Sequence, residues 1–337
     1  MKGRLIFYGS VLLLLVLAVL YATHMPGHSH TGVLPAATPE LRELELRLRS
    51  HVTMLAGTIG TRSLDRVEKL DAAREYLVAQ LKPLETSTNH VQMEDVGAAG
   101  GHAQNVIFEV AGEDPTHVIV VGAHYDSIDT GPGANDNGSG VAATLELASV
   151  FAKAYAGRGV RFVFFVNEEP PYFQNPGMGS LLNAERARAR GDRISAMLSL
   201  ETLGCYSDAP NTQHYPFPIG LFYPSRGNFL GFVGDLGARA LVRSAIGAFR
   251  EAEPFPSQGA ALPTSFPGID WSDHWSFRRA GYPAIMLTDT APYRDPNYHR
   301  PSDRPEALNY ESLARVTRGI EFVVRRLGAP KSGQVGH

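Results

Sequence analysis

Cysteine is almost missing from this 337-residue chain: Cys205 stands alone. A single thiol excludes an intramolecular disulfide and a cysteine-rich zinc finger, so neither can staple the fold. No Cys–His arrangement accompanies it, which argues against a thiol nucleophile and for a small buried side chain. Excess charge of either sign is missing too. Lys and Arg number 31 against 34 Asp and Glu, a formal net charge of −3. That balance argues against nucleic acid or an anionic membrane surface as the main partner. No internal repeat is present, so a repeat architecture is not indicated. The glycine-rich loop 131–140 lacks the Lys-Ser/Thr of a phosphate-binding loop, and Asp136 at its centre would repel phosphate.

What is present begins at the N-terminus. Lys2 and Arg4 precede an apolar run, 5–22, broken only by Gly9 and Ser10. At about 18 residues it is near the lower limit for a membrane-spanning helix. Basic residues before it place the remainder outside the cytoplasm. Tyr21-Ala22-Thr23-His24 is a poor cleavage site. The expectation is a membrane anchor or signal segment over 1–24 and a linker over 25–38. The body is then extracytoplasmic and membrane-anchored, or secreted or periplasmic if the segment is cleaved. A buried core helix is the alternative for the apolar run.

From residue 39 the pattern is one domain to about 330, followed by a flexible tail, 331–337. Thr38-Pro39 starts a helix, with Leu41, Leu44, Leu48, Val52 and Leu55 at helical spacing. A second helix is expected over 65–81 and strands over 90–94 and 105–110, separated by a glycine-rich turn at 97–101. Strands at 117–122, 160–166, 196–200 and 284–287 then alternate with helices at 140–155, 179–190, 230–250 and 308–327. Strands apolar throughout imply a mainly parallel, mixed central sheet covered by helices on both faces, an α/β fold. Ligands bind such sheets beyond the carboxyl ends of the strands. The proline- and aromatic-rich stretch 207–228 is a long connection suited to walling a site.

Ligand-type residues collect at that edge. His124 and Asp126 follow one strand, Glu168-Glu169 a second and Glu201 a third; Asp136 and His299 lie in loops. Each has an ordinary reading as well. His124 can be a strand-end histidine, Asp136 a helix cap, the glutamates a surface pair and His299 a solvated loop residue. A lone Glu201 ending a buried strand needs a cation. Taken together, two imidazoles and several carboxylates suit two adjoining zinc ions with a spare carboxylate as base.

At this point the chain resembles the zinc aminopeptidases of peptidase family M28, over about 41–327. The segments that carry the likeness are A-H-Y-D-S (123–127), G-A-N-D-N-G-S-G (133–140), N-E-E-P-P-Y-F (167–173), G-M-G-S (177–180), L-E-T-L-G (200–204), S-D-H (272–274), D-T-A (289–291) and N-Y-H-R-P-S-D (297–303). The resemblance implies a single α/β domain of the zinc-peptidase (phosphorylase/hydrolase-like) kind and two zinc ions. By the matching motifs, His124 and Glu201 hold one ion, Glu169 and His299 the other, and Asp136 bridges them. Glu168 becomes the general base and Asp126 the residue that orients His124. Tyr298 matches a position where some members carry an oxyanion-stabilising tyrosine. Glu201 stands where many members have Asp and others Glu, which changes how that zinc is chelated. The implied activity is removal of N-terminal residues from peptides with a free N-terminus. Two alternatives share the fold: a glutaminyl cyclase-like acyltransferase working with one zinc, and a non-catalytic ectodomain.

Overall fold

The computed structural model of the protein describes residues 2–97, 103–153, 155 and 157–329. The expected tail and most of the 97–101 turn lie outside these residues. Among them is one eight-stranded sheet. Its strands are β1 (His90–Asp95), β2 (Gln104–Val110), β3 (Asp114–His124), β4 (Arg158–Phe165), β5 (Ile194–Glu201), β6 (Leu230–Asp235), β7 (Ser257–Leu262) and β8 (Ala284–Thr288). They lie in the order β1-β2-β4-β3-β5-β8-β6-β7. The centre, β4-β3-β5-β8, is parallel. β1 and β2 pair antiparallel on one flank, and β6 runs antiparallel to β8 on the other.

The apolar strands divide by the period of two that a pleated chain imposes. Ile119, Val121, Phe162, Phe164, Leu198 and Leu200 face one layer of helices. That layer includes α2 (Pro39–Val52), α4 (Gly140–Lys153), α6 (Arg239–Ala252) and α8 (Tyr310–Gly328). Val120, Val163, Phe165 and Met197 face α5 (Gly179–Arg190) and α7 (His274–Arg279) on the other side. Burying each such side chain stabilises the fold by about 1.5–3 kcal/mol, which holds the carboxyl ends of β3, β4 and β5 level. α2 starts as expected: Thr38 Oγ1 accepts from the Leu41 amide at 3.3 Å, and Pro39 takes the first turn. α3 (Val67–Leu81) packs Leu70, Ala73 and Leu77 inward.

Two expectations are corrected. The run 230–250, expected as one helix, is β6 followed by α6. Its first part, Gly231-Phe232-Val233-Gly234, carries no clear period, and pairing with β8 and β7 makes it a strand. β7 itself was not anticipated, because Ser257-Gln-Gly-Ala-Ala-Leu has too few branched or aromatic residues to read as a strand. At the N-terminus, α1 spans Lys2–Thr23. Much of the expected anchor's side-chain structure lies outside the described residues. Among the described residues no helix is long and apolar enough to cross a membrane. The stretch expected as a linker lies against the body: Met25 is buried, and Leu34 and Ala37 pack on the main core.

Candidate metal centre

The carboxyl ends of the parallel strands bring the predicted residues together. His124 and Glu201 end β3 and β5, and Glu168-Glu169 follow β4 by three residues. Asn167 (φ 61°) and Thr202 (φ 48°), beside these positions, and the ligand-type residue His299 (φ 58°) have left-handed backbone. Such conformations cost energy and persist where the surroundings impose them. Asp136 arrives on the loop that enters α4. Gly140, the first residue of that helix, sits so close to the Leu200 carbonyl that any Cβ would collide with it. Glycine there lets the loop press down on the end of β5.

Asp136 lies between the two imidazoles. Its Oδ1 is 3.3 Å from His124 Nε2 and its Oδ2 is 3.1 Å from His299 Nε2. Around His124 Nε2 are also Glu201 Oε2 at 3.5 Å and Glu168 Oε2 at 3.7 Å. Glu169 Oε2 is 3.3 Å from His299 Nε2. Two groups of ligand atoms result, His124/Glu168/Glu201 and Asp136/Glu169/His299, each close enough to surround one ion. Asp126 lies beneath them. Its Oδ1 is 3.5 Å from His124 Nδ1, and its two oxygens accept from the amides of Glu168 (3.3 Å) and Glu169 (3.1 Å). His124 Nδ1 also lies 3.3 Å from the Asp126 backbone carbonyl, so Asp126 meets the imidazole and its carboxylate holds the Glu-Glu turn.

The electrostatics fit cations. Five carboxylates (Asp126, Asp136, Glu168, Glu169 and Glu201) are buried against His124 and His299. Burial pushes Glu168 well above the usual carboxylate range; His124 opposes this, and Glu201, Asp273 and Glu169 add to it. Burial and Asp136 push Glu169 up to about 7. Burial alone would depress both histidines, yet the surrounding carboxylates hold His124 well above its usual value and raise His299 to about 10. Asp136 is held far below its usual value despite burial, by the two imidazoles that face its oxygens. Nε2 of His124 is buried without a hydrogen-bond partner, although three carboxylates face it. A cation among these atoms accounts for both the orphaned nitrogen and the surplus negative charge.

Several supporting residues escaped the sequence reading. Ser272 Oγ donates to Glu201 Oε2 at 2.7 Å, and Asp303 accepts from the amides of Asn135 (2.7 Å) and Asp136 (3.1 Å). Both lay in quoted segments, S-D-H and P-S-D, without an assigned role. Arg62 is fully buried and donates to the carbonyls of Leu55, Gly60, Tyr125, Pro132 and Gly133, which ties the Asp136 loop to the segment after β3. No local pattern marks it. Tyr298 stacks on His299 with ring centroids 3.9 Å apart. With Glu201 it borders an apolar pocket that also contains Tyr223, Phe229, Phe266, Trp271 and Met286. Burial raises the Cys205 thiol far above its usual range, consistent with an inert side chain.

A mainly parallel sheet with paired histidine–carboxylate groups at its carboxyl rim defines a metal-dependent hydrolase. This chain belongs to peptidase family M28, whose family model matches residues 105–324. Among similar proteins is the uncharacterized protein YfbL of Escherichia coli K12, 35% identical over 283 residues, which are 81% of this chain and 85% of that one. Leucine aminopeptidase 2 of Trichophyton rubrum is 28% identical over 237 residues, 65% of this chain; the match spans only 44% of that longer protein. The structure of BSAP, a zinc aminopeptidase from Bacillus subtilis, superposes with a TM-score of 0.63 over 86% of this chain and 96% of that one. At 15% identity that likeness is one of fold.

Proposed function

We propose that the chain is a zinc-dependent aminopeptidase that removes N-terminal residues from peptides and holds two zinc ions. The observation that carries this reading is Asp136, which offers one oxygen toward His124 and the other toward His299. His124 and Glu201 would hold one ion, Glu169 and His299 the other, with Asp136 between them. Bound zinc supplies Lewis acidity for a carbonyl and lowers the pKa of a water. Glu168 takes the proton of the attacking water and returns it to the leaving amine. Its Oε2 lies 3.7 Å from His124 Nε2, within reach of a water held at that site. Asp126 keeps His124 in place, and the Tyr298 hydroxyl, protonated at neutral pH, donates to the developing oxyanion. The pocket beside Glu201 is lined mainly by aromatic and aliphatic side chains, which favours a large apolar first residue. The basic and apolar N-terminal sequence supports an extracytoplasmic body anchored through 1–24.

Matched peptides with free and acetylated N-termini test the substrate class. The expected result is stepwise loss of residues from the free peptide alone, abolished by a chelator. Internal cleavage of the acetylated peptide would remove the exopeptidase reading. Release of ammonia with cyclisation of a glutaminyl peptide would favour the cyclase alternative.

A further inference from the structure

The apolar pocket has an outer wall, and part of that wall is held from outside the peptidase body. Ile219, Val233, Ala260, Leu262, Phe266 and Ile269 all line the pocket. The same six form one apolar cluster with Ala22, in the last turn of α1. That turn is docked. Arg239 of α6 donates to the Tyr21 carbonyl at 2.6 Å and lies 3.9 Å over the Tyr21 ring, and Arg243 donates to the His24 carbonyl.

The segment beyond it runs along β7, the last strand of the sheet, whose outer edge has no strand partner among the described residues. A free edge is a weak wall. Here the edge is strapped. The Ser257 amide donates to Ser29 Oγ at 2.9 Å. Arg250 donates to the Pro26 carbonyl at 2.9 Å and to the Ser257 carbonyl at 2.8 Å, so one guanidinium joins strap and strand. Met25 lies against Gly259, where a Cβ would come within 2.8 Å of Met25 Cγ. The Tyr223 hydroxyl, a pocket residue, donates to the Gly259 carbonyl at 2.8 Å. Gly259 thus touches both the strap and the pocket lining.

We propose that residues 22–29 are a structural part of the specificity pocket and, by positioning β7, set the size of the N-terminal side chain that it admits. This rests on the aminopeptidase reading. Met25 determines how far β7 can move outward, and Arg250 determines whether it stays. These are positioning residues: neither touches substrate. One methylene more or less in an apolar pocket is worth about 10–200-fold in selectivity, which sets the scale for a pocket that gains or loses that much room.

The test uses the purified full chain and its Met25→Ala and Arg250→Ala variants, with alanyl-, leucyl- and phenylalanyl-aminomethylcoumarin as substrates. Met25→Ala should raise the phenylalanyl-to-leucyl ratio of kcat/KM by about tenfold or more, through KM. Zinc content and kcat for the alanyl substrate should be unchanged. Arg250→Ala should erode leucyl-over-alanyl preference on the same scale. Ratios unchanged within about twofold of the parent, or an equal fall for every substrate through kcat, would overturn the proposal. A second readout needs no turnover. Trp271 lines the pocket, and its fluorescence can be titrated with L-leucinol and L-phenylalaninol. The same shift in relative affinity is expected. If the parent cleaves no aminoacyl substrate, the aminopeptidase reading fails, while the titration still decides the strap. If neither alanine variant folds, Met25→Leu reshapes the contact without emptying it and carries the same comparison.

Discussion

Replacing Glu168 by glutamine separates a proton shuttle from a metal ligand at one position. The amide keeps the shape of the carboxylate, and the backbone amide of residue 168 still donates to Asp126 Oδ1 at 3.3 Å. The side chain should therefore stay in place, 8% exposed, with only its basicity removed. A general acid–base group contributes about 10²–10⁴-fold. Used twice in the cycle, it should sit at the upper end, a barrier increase of about 3–5 kcal/mol. The loss should fall on kcat, with KM little changed. Metal content is the second measurement. Glu168 also lies within the His124/Glu201 group, so a ligand role would empty that site. As base it is dispensable for binding, and two zinc ions per chain should remain. The metal-free variant adds a check on sign. In the metal-free fold the Glu168 carboxyl is raised by burial, so its charged form costs stability as pH rises through that value. Glutamine removes that cost, and the metal-free variant should unfold no earlier than the metal-free parent at neutral pH. Retention of more than about a tenth of the parent kcat, against the expected 10²–10⁴-fold loss, would refute the base assignment. So would loss of one ion per chain.

Asp136→Ala should lower the zinc-to-protein ratio after dialysis more than Glu201→Ala does, because Asp136 faces both histidines and Glu201 only one; two retained ions would reduce Asp136 to a loop residue. A chain that starts at Tyr21 keeps the strap and should remain soluble and metal-loaded. One that starts at Pro39 loses Met25, Ser29 and the Pro35 carbonyl bound by Arg315. It should be less stable by at least about 2–5 kcal/mol, the cost of emptying one buried methionine site; equal denaturant midpoints for the two would contradict the packing argument. Away from the metal site, Glu146 accepts from Arg47 at 2.8 Å and lies 3.2 Å from His51 Nε2. These partners hold its carboxyl below the usual value despite burial. Its contribution is present above the unfolded-state pKa and fades as pH falls through the folded-state value. Urea midpoints followed from neutral to acid pH should decline less for Glu146→Gln than for the parent, and superimposable profiles would refute the linkage.

The chemistry was legible in the sequence wherever a residue type is costly at its place in a local pattern. Glu201 ending an apolar strand, and adjacent Glu168 and Glu169 ending another, stand out because a buried carboxylate needs a partner. The alternation of apolar runs with helical periods likewise announced the parallel sheet and put these residues on one rim. Elements whose local signal is weak were lost. β7 is a strand because β6 and the strap flank it, not because Ser257–Leu262 favours extension. β6 merged with α6 because two glycines blur the period that separates them.

What only the tertiary structure decided is how these groups meet. Sequence spacing cannot say that Asp136 turns one oxygen to each histidine, since His124 and His299 come from opposite halves of the chain. Nor can it find Arg62, which satisfies five carbonyls from three separate stretches of chain, or Ser272, which reaches Glu201 from 71 residues away. The segment 25–38 has the composition of a linker, yet Met25 is buried against a glycine more than two hundred residues downstream. Composition reports what a segment can do in isolation. Whether it is free or clamped depends on an edge strand that exists only once the sheet has formed.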